Sequence, residues 1–346
     1  MVRPPMRPSP KRLWLLRADR LAAVLPRERL HPAVLAWSEG RRAATGPWAV
    51  AFSGGADSLA LLLLLWAHWP RRRAKLVALH FNHRLRGRAA HADELFCRRV
   101  CAALGIRFVS GRWRTPPKRA GEAEARTARF RFFATKLRTA GCRALWLGHQ
   151  QDDIAETMLM RLARGSGTAG MAAPRPVQHL PGGRVHLRPL LTLKKTELTA
   201  ALRAAGIRWR EDRTNATGDF FRNRIRGSVL PSWLRAAAER DALAGAALTR
   251  ELLQEDDDAL ECWLDGIRML HADGGLDLRK LSGRPRALLR RALHRWLLRH
   301  PDAGGLSRQG FTALLNAVES GRPTRQSLGA KGFAVIRGRW LRFVRK

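Results

Sequence analysis

A short polar segment between two apolar runs has residue types that could bind a phosphorylated ligand. The sequence SGGADS at residues 53–58 follows the apolar stretch 48–52 and precedes the apolar run 59–66. This order predicts a strand, a tight loop and a helix. The glycines Gly54 and Gly55 permit a positive φ, and N–H groups at a helix start favour an anion. Asp57 beside a phosphate would offer a ligand to Mg²⁺.

Other glycine-rich phosphate motifs do not fit this segment. A Walker A loop needs a Lys that is absent, a dinucleotide fingerprint needs another glycine spacing, and a nucleophile elbow needs Gly-x-Ser-x-Gly. An ordinary βα turn stays open as the alternative. The hexapeptide resembles the pyrophosphate loop (PP-loop) of the ATP pyrophosphatases, which adenylate a substrate and release pyrophosphate. On that resemblance Ser53, Gly54, Gly55 and Ser58 would hold phosphate.

A second segment, HQQDDIAET at residues 149–157, combines a histidine with several acids at the start of a predicted helix. Asp152 and Asp153 lie four and three residues before Glu156, so the three carboxylates share a helix face. They could hold Mg²⁺ or receive a cationic amine, or they could only cap the helix. His149 could move protons or bind phosphate, whereas a lone histidine is more often structural.

Arginines recur in three further segments. They are Arg126 and Arg129 in one predicted helix, Arg188 in the sequence LRPLL, and Arg222 and Arg226, which flank Asn223, in another helix. Such arginines could grip phosphates and neutralise a leaving group. They could equally form a solvated helix face. A fourth polar cluster, EDRTN at residues 211–215, precedes the last of these segments.

The composition points to a polyanionic partner. The chain has 346 residues and a net charge of +37. Such an excess predicts salt-sensitive binding to nucleic acid, although compositional drift towards arginine is a second explanation. The four cysteines have no Cys-x-x-Cys spacing, so zinc and thiol-redox motifs are missing. Without a signal peptide or a membrane-length apolar run, we expect a cytoplasmic protein with no membrane contact.

Strand-length apolar runs alternate with helical patterns in the first part of the chain. This alternation predicts an α/β fold with a mostly parallel, doubly wound sheet, whose ligand lies at the carboxyl ends of the strands. The expected strands are 49–52, 76–81, 108–110, 144–148 and 185–191, and the expected helices are 58–69, 89–104, 122–140, 152–164 and 194–205.

The pattern changes near residues 231–235, beyond which we expect helices without strands between them and a terminal hairpin. The expected helices are 233–255, 259–270, 285–299 and 308–320, and the hairpin strands are 332–336 and 339–344. We therefore predict a basic leader with a first helix (1–47), a catalytic domain (48–234) and a smaller, mainly helical domain (235–346). The acidic run 255–258 is interpreted as a helix start. The glycine-rich stretch 165–174 is interpreted as a mobile lid.

Together these segments, and their order, resemble the tRNA(Ile)-lysidine synthetases over roughly residues 48–232. The resemblance includes residues 80–86, around Asn82 and His83, and implies a PP-loop ATPase fold of the adenine nucleotide alpha hydrolase type. Departures are Gln150 for a frequent histidine, Ile154 for a frequent glutamine and Phe130 for a usual tyrosine. The second domain resembles that family's smaller tRNA-binding domain.

The resemblance implies ATP, Mg²⁺, free L-lysine and a tRNA(Ile) with a CAU anticodon as cofactors and partners. Its residues would have three kinds of role. Catalysis would involve Asp57, His149, Asp152 and Asp153, with Asp57 as the metal ligand; ATP would contact the PP-loop, Asn82, His83 and Arg188; tRNA or substrate would contact Arg126, Arg129, Glu156, Arg222, Asn223 and Arg226. The attacking amine would lose its proton to a carboxylate or to His149.

Three alternatives stay open. One is a tRNA thiolase, which would normally carry paired cysteines, and another is an amidotransferase-type synthetase, which would need a glutaminase domain. The third is a basic RNA-binding protein without catalysis. The sequence also leaves open whether the chain is a homodimer.

Overall fold

A computed structural model describes residues 9–44, 46–85, 87–117, 121–211, 220–300 and 306–346. Contacts divide the chain into a unit that ends at Leu253 and a second unit that begins at Gln254. The predicted functional division at residue 235 stays a prediction.

The first unit is built on a six-stranded sheet of order β3-β2-β1-β4-β6-β5. Its strands pair in parallel, except that β5 runs antiparallel to β6 at the edge. The predicted α/β fold with a mostly parallel sheet is therefore confirmed. The strands are β1 (Trp48–Ala51), β2 (Leu76–Asn82), β3 (Arg107–Arg112), β4 (Ala144–Trp146), β5 (Val177–Leu180) and β6 (Arg184–Leu187).

The chain order reverses between β1 and β4, because β2 lies on one side of β1 and β4 on the other. Trp48 pairs with Leu76 of β2 and with Ala144 of β4, so the three parallel strands begin level and run towards the same edge of the sheet. Such a reversal leaves a crevice at the carboxyl ends of the strands, where α/β proteins bind ligands.

Helices cover both faces of this sheet, as a parallel sheet requires. The α-helices of the first unit, the last of which continues into the second unit, are α1 (Pro10–Val24), α2 (Pro32–Glu39), α3 (Arg41–Ala44), α4 (Ala56–His68), α5 (Arg88–Leu104), α6 (Glu122–Thr139), α7 (Gln151–Leu162), α8 (Thr168–Met171), α9 (Lys195–Ala204), α10 (Phe221–Arg224), α11 (Leu230–Ala236) and α12 (Ala242–Ile267).

Helix α4 is buried on nearly all sides, which explains its continuous apolar run. Its residues from Leu59 to Trp66 are at most 6% exposed, and it packs against α1 and α9. At the opposite end of β1 from the PP-loop, Trp48 packs against Trp146, with ring centroids 4.6 Å apart, and against Trp69. These large side chains fix β1 beside β4, the two strands that border the crevice.

The first helix expected within residues 1–47 is α1, and its residues Ala18 and Leu21 lie in the main core. One expectation for the first unit needs correction. The fifth predicted strand ends at Leu187, because Pro189 begins a 3-10 turn, and its antiparallel neighbour β5 was not predicted. Residues 177–180 are too few and too polar to give a strand pattern.

The second unit pairs helices with a four-stranded antiparallel sheet of order β7-β10-β9-β8. The predicted terminal hairpin is confirmed as β9 and β10, while β7 and β8 were missed because they are short. The elements are β7 (Leu276–Asp277), α13 (Arg286–Leu298), α14 (Arg308–Ser320), β8 (Thr324–Ser327), β9 (Gly332–Arg337) and β10 (Trp340–Arg345).

The acidic run 255–258 was expected to start a helix, and this expectation is wrong. It lies inside α12, which covers most of both helices predicted across residues 233–270, while residues 233–236 belong to α11. Asp257 is 2% exposed and forms an ion pair with Arg291, and Glu261 contacts the same guanidinium at 2.7 Å. The acids thus form a stripe at i, i+4 spacing that pairs with α13.

No helix in the described segments is both long and apolar enough to cross a membrane.

Candidate active site

The loop at residues 53–58 connects the end of β1 to the first turn of α4, as predicted. Gly54 has a φ of +90°, a conformation that favours glycine. Ser58 Oγ accepts a hydrogen bond from the Ser53 backbone N–H (3.2 Å) and contacts Ser53 Oγ at 3.0 Å. The two serines hold the turn closed, and the first N–H groups of α4 lie beside it, where an anion is stabilised.

A cavity of about 1160 Å³ opens over this loop. Its volume is that of a site for a large ligand. Nine of the predicted site residues line it, and Gly54 lies in the loop beside them. The nine are Ser53, Gly55, Asp57, Ser58, Asn82, His83, Arg129, His149 and Arg226.

Asp57 stands in the first turn of α4, and its Oδ1 accepts a hydrogen bond from Lys195 Nζ at 2.6 Å. Burial raises the pKa of Asp57, and the nearby Lys195 ammonium opposes that rise. Lys195 is the first residue of α9 and also lines the cavity. It was not predicted as a site residue, although its place at a helix start just after the LRPLL segment was a usable signal.

His149 follows β4 and faces the same cavity. Its Nδ1 accepts a hydrogen bond from Arg188 Nε at 3.0 Å. Burial and the surrounding arginines, Arg188 first, hold the pKa of His149 well below its usual value. The imidazole is therefore neutral near pH 7.

The acids of α7 are paired with the arginines near α10. Asp153 Oδ1 accepts from Arg222 Nη2 at 2.5 Å, and Glu156 accepts from Arg222 Nε at 2.8 Å and Arg226 Nε at 2.6 Å. Burial works to lower the pKa of both arginines, but Asp153 and Glu156 raise it overall. Glu156 is 1% exposed, so the acid side of this network is buried, whereas the Arg226 side chain is 41% exposed.

The capping interpretation of the α7 acids also has an observed basis. Asp153 Oδ2 accepts from the Gln150 backbone N–H at 2.9 Å, which closes a capping box. Asp152 lies outside the arginine network, and its Oδ2 accepts from the Lys195 backbone N–H at 2.9 Å. Burial raises the pKa of Asp152.

Asn82 and His83 lie at the end of β2. Asn82 is buried, and its Nδ2 donates to Glu94 Oε2 at 3.2 Å, while its Oδ1 accepts from the Arg84 N–H. The His83 ring meets Phe81 edge-on with centroids 4.9 Å apart. The asparagine thus anchors the loop after β2 within the cavity wall.

The remaining predicted residues surround the cavity without all lining it. Arg126 and Arg129 of α6 stand over the Phe130 ring, at 4.8 and 5.7 Å from its centroid. Burial and Arg126 lower the pKa of Arg129 to about 10, and its Nε has no hydrogen-bond partner among the described residues. Asn223 lies half-buried in α10 beside Arg222.

A further wall residue, Arg210, was not predicted. Its backbone N–H donates to the Gly54 carbonyl at 3.0 Å, and its Nε donates to Asp93 Oδ1 at 2.7 Å. It ties the loop to α5 through a contact between residues more than 100 positions apart, which no local pattern could reveal. The predicted residues 86 and 212–215 lie outside the described parts of the chain.

The predicted lid contains a one-turn helix, α8, and Arg161 Nη1 donates to the Gly170 carbonyl. Its movement stays a prediction.

The site as a whole has an anion-binding turn, a carboxylate beside an ammonium, a neutral histidine and a cluster of guanidinium groups. These groups suit the transfer of a phosphorylated group in a positively charged crevice.

Comparison with known proteins shows the family to which this site belongs. Residues 35–233 match the PP-loop domain family. The chain is 38% identical over 315 residues to a tRNA(Ile)-lysidine synthase of Pseudomonas syringae pv. tomato, a match that covers 85% of this chain and 66% of that protein. It is 36% identical over 300 residues to the Xanthomonas campestris pv. campestris enzyme of that name, with 85% and 67% covered.

A third relative, the tRNA(Ile)-lysidine synthase of Solibacter usitatus, is 43% identical over 183 residues, which cover 53% of this chain and 40% of the relative. The chain thus spans between 40% and 67% of the length of these three curated relatives.

Among solved structures, the chain resembles the U34-tRNA thiolase of Methanococcus maripaludis with a TM-score of 0.50 at 16% identity. That match covers 69% of this chain and 78% of the thiolase chain. At this sequence identity the match shows a similarity of fold alone.

Proposed function

Because the chain belongs to the PP-loop domain family, we propose that it ligates free L-lysine to the wobble cytidine in the CAU anticodon of an isoleucine tRNA. ATP would activate the cytidine, and the products would be lysidine, AMP and pyrophosphate. The observation that carries the proposal is the PP-loop itself, which opens into a cavity bordered by Arg129, Arg226 and the His149 segment. The name and identity of the relatives support the choice of reaction.

The reaction would proceed in two displacements. The 2-carbonyl oxygen of the cytidine attacks the α-phosphorus of ATP, and pyrophosphate leaves with the electrons of the broken P–O bond. The ε-amine of lysine then attacks the ring carbon, the C–O bond breaks, and AMP leaves with that oxygen. The attacking nitrogen loses a proton to a base. No nucleophile from the protein is needed.

The chain's own residues would supply positioning and charge. The N–H groups of the PP-loop and the hydroxyls of Ser53 and Ser58 would bind the β- and γ-phosphates, and Lys195 would neutralise the leaving pyrophosphate. Asp153 and Glu156 would receive the cationic amine of lysine. An incoming amine would join or displace the guanidinium groups of Arg222 and Arg226.

Mg²⁺ fits this donor set as a partner of ATP. Asp57 is a carboxylate in the cavity wall beside the PP-loop, and Mg²⁺ in nucleotide sites commonly takes one or two carboxylates together with phosphate oxygens. The described residues contain no group of three His, Cys, Asp or Glu side chains that could bind a metal ion. The phosphates would therefore supply most of the ligands, and the ion would neutralise their charge.

The thiolase alternative is not favoured. Cys97, Cys101 and Cys142 are buried, and burial raises the pKa of each thiol, which makes the thiolate scarce. Free thiols fit the reduced cytoplasm, where we place the reaction.

Labelled lysine tests the proposed function. The chain, ATP, Mg²⁺ and ¹⁴C-lysine are incubated with an isoleucine tRNA transcript that has a CAU anticodon. We expect ATP-dependent label in this transcript and none in a control transcript whose wobble base is uridine. Binding of the transcript without any label would overturn the proposal in favour of an RNA-binding protein.

A further inference from the structure

We propose that His149 acts in this site as a hydrogen-bond donor through Nε2, and that Arg188 is the positioning residue that fixes this tautomer. The acceptor would be a phosphoryl oxygen. The tautomer stands on the structure alone, whereas the acceptor rests on the function proposed above. The sequence left open whether a carboxylate or His149 is the base for the attacking amine. A His149 that donates through Nε2 is not that base.

The tautomer follows from the hydrogen bond between the two side chains. Arg188 Nε lies 3.0 Å from His149 Nδ1. A guanidinium nitrogen is always a donor and has no free lone pair, so Nδ1 must be the acceptor and must carry no proton. The neutral imidazole then has its proton on Nε2. A second proton on the ring would destroy this bond and place two cations in contact.

Arg188 cannot easily turn away from this contact. Its Nη1 donates to the Arg175 carbonyl at 2.6 Å, and its Nη2 donates to Gln178 Oε1 at 2.9 Å. The residue is 4% exposed and follows β6, the strand beside β4. Since Nε and both terminal nitrogens have partners on neighbouring segments, the guanidinium presents Nε to His149 in a fixed direction.

The charges around the ring favour the same state. Arg126, Arg129 and Arg222 add to the field of Arg188, and burial together with these cations keeps the pKa of His149 low. A neutral ring surrounded by guanidinium groups has one N–H to offer. An oxygen anion is the ligand that both the N–H and the guanidinium groups stabilise.

This geometry gives His149 a different role from the one expected of a lone histidine after a strand. A base must present a lone pair to the substrate, but the only lone pair of this ring faces Arg188. The proton of the attacking lysine therefore goes to another group, such as one of the carboxylates. His149 instead donates to a phosphoryl oxygen, either of the nucleotide or of the RNA backbone.

Nitrogen-15 NMR of the full chain, labelled at histidine, tests the tautomer without any substrate. We expect the His149 resonances, assigned with the His149→Gln variant, to show a protonated Nε2 and a bare Nδ1 from pH 8 down to about pH 6. In Arg188→Met the same ring should become a mixture of tautomers, and its pKa should rise because one of the surrounding cations is gone, although burial and the other arginines still hold it low. A proton on Nδ1, or an imidazolium at pH 7, in the unsubstituted chain would overturn the proposal.

Paired substitutions test the role in turnover. The amide N–H of His149→Gln can take the place of Nε2–H, whereas His149→Ala has no donor. We expect His149→Gln to keep activity within about 10-fold and His149→Ala to lose roughly 100-fold in kcat. Equal losses in the two variants would contradict a donor role. His179→Gln, at an exposed position of β5, is the matched control, and urea unfolding midpoints check that each variant is folded.

Binding measurements identify the acceptor. A non-hydrolysable ATP analogue and the tRNA transcript are titrated separately into the unsubstituted chain and into His149→Ala. A loss confined to the analogue supports a nucleotide phosphate, and a loss confined to the transcript supports an RNA phosphate. If neither affinity falls, the phosphoryl acceptor is wrong. The NMR result stands apart from both, so failure of the tautomer and failure of the proposed reaction are distinguishable.

Discussion

At the scale of single residues, the site contains carboxylates in three different electrostatic states. Asp57 is paired with one flexible ammonium, Asp153 and Glu156 are held by two guanidinium groups, and Asp152 accepts a backbone N–H. Burial raises the pKa of Asp57 and of Asp152, but Asp57 has an ammonium beside it that opposes the rise, whereas Asp152 lies outside the arginine network. We therefore assign charge-binding roles to the first three and regard Asp152 as a candidate base for the lysine amine.

Asp57→Asn preserves the shape of the side chain and removes its charge. We expect turnover to fall by roughly 100-fold or more, because the carboxylate that would bind Mg²⁺ beside the leaving phosphates is lost. Transcript affinity should stay within about 2-fold, since it rests on the arginines. Steady-state turnover and filter binding give the two values. Undiminished turnover would show that Asp57 is not a metal ligand.

His31 gives a prediction for stability as a function of pH. Burial, and then Arg250, lowers the pKa of His31 to about 4, while its Nδ1 caps α2 through the Ala33 N–H. The unfolded chain binds a proton at His31 near pH 6.5 and the folded chain does not. The free energy of unfolding should therefore fall, by up to roughly 3 kcal/mol, as the pH drops from about 6.5 to about 4.

Urea unfolding of the full chain between pH 8 and pH 4 measures this loss. His31→Asn keeps a side-chain cap without the titration, so its stability should fall less steeply over the same range. His186, whose pKa is lowered to about 4 by burial and by Arg188, contributes in the same direction in both proteins. Parallel curves for the two proteins would contradict the assignment to His31.

The sequence indicated most of the site residues but few of their partners. SGGADS and the acids of α7 are local patterns, and their helices begin within two residues of the predicted starts. The Arg222 to Asp153 ion pair joins residues 69 positions apart, and Lys195 reaches Asp57 across 138 positions. Such contacts depend on how the strands are ordered in the sheet, and no spacing in the sequence encodes that order.

At the scale of elements, the site depends on close approach of the end of β4 to the first turn of α4. A Cβ at Gly148 would lie 2.9 Å from the Asp57 carbonyl and 3.1 Å from the Ser58 nitrogen. Both atoms belong to backbone that cannot rotate away. The glycine is therefore required for the PP-loop and the His149 segment to face one cavity.

Gly148→Ala should separate these two elements. We expect a loss of about 1–3 kcal/mol in the free energy of unfolding and at least a roughly 10-fold loss of nucleotide affinity. Calorimetric titration and urea unfolding provide the measurements. Gly245→Ala, where an added Cβ meets open space in α12, is the control and should be neutral or slightly stabilising. Normal nucleotide binding by Gly148→Ala would refute the packing argument.

Element boundaries in the second half were harder to predict. Of the acidic run that was predicted to start a helix, only Asp257 is buried, and it forms an ion pair with Arg291 of α13 from the interior of α12. Leu243 and Ala246 of α12 pack with Ile154 and Ala155 of α7. Deletion of residues 236–346 would therefore remove part of the core that supports the α7 acids. Such a variant would not separate tRNA binding from the other functions of the site.

At the scale of the whole molecule, the charge of +37 gives a prediction about salt. A protein that contacts many phosphates releases their counterions, so transcript affinity should fall roughly 100-fold or more between about 50 and 200 mM KCl. Affinity for the ATP analogue should fall much less, because that ligand has few charges. Filter binding and calorimetry give the two slopes. Equal slopes would indicate that the basic surface does not contact RNA.

The central claim is that ATP adenylates the cytidine oxygen before lysine attacks. Transfer of oxygen-18 from a transcript labelled at the 2-carbonyl oxygen of the wobble cytidine tests it most directly. We expect the label to appear in the phosphoryl group of AMP, in a one-to-one ratio with the lysine incorporated, as seen by mass spectrometry. Lysine incorporation with unlabelled AMP would contradict it.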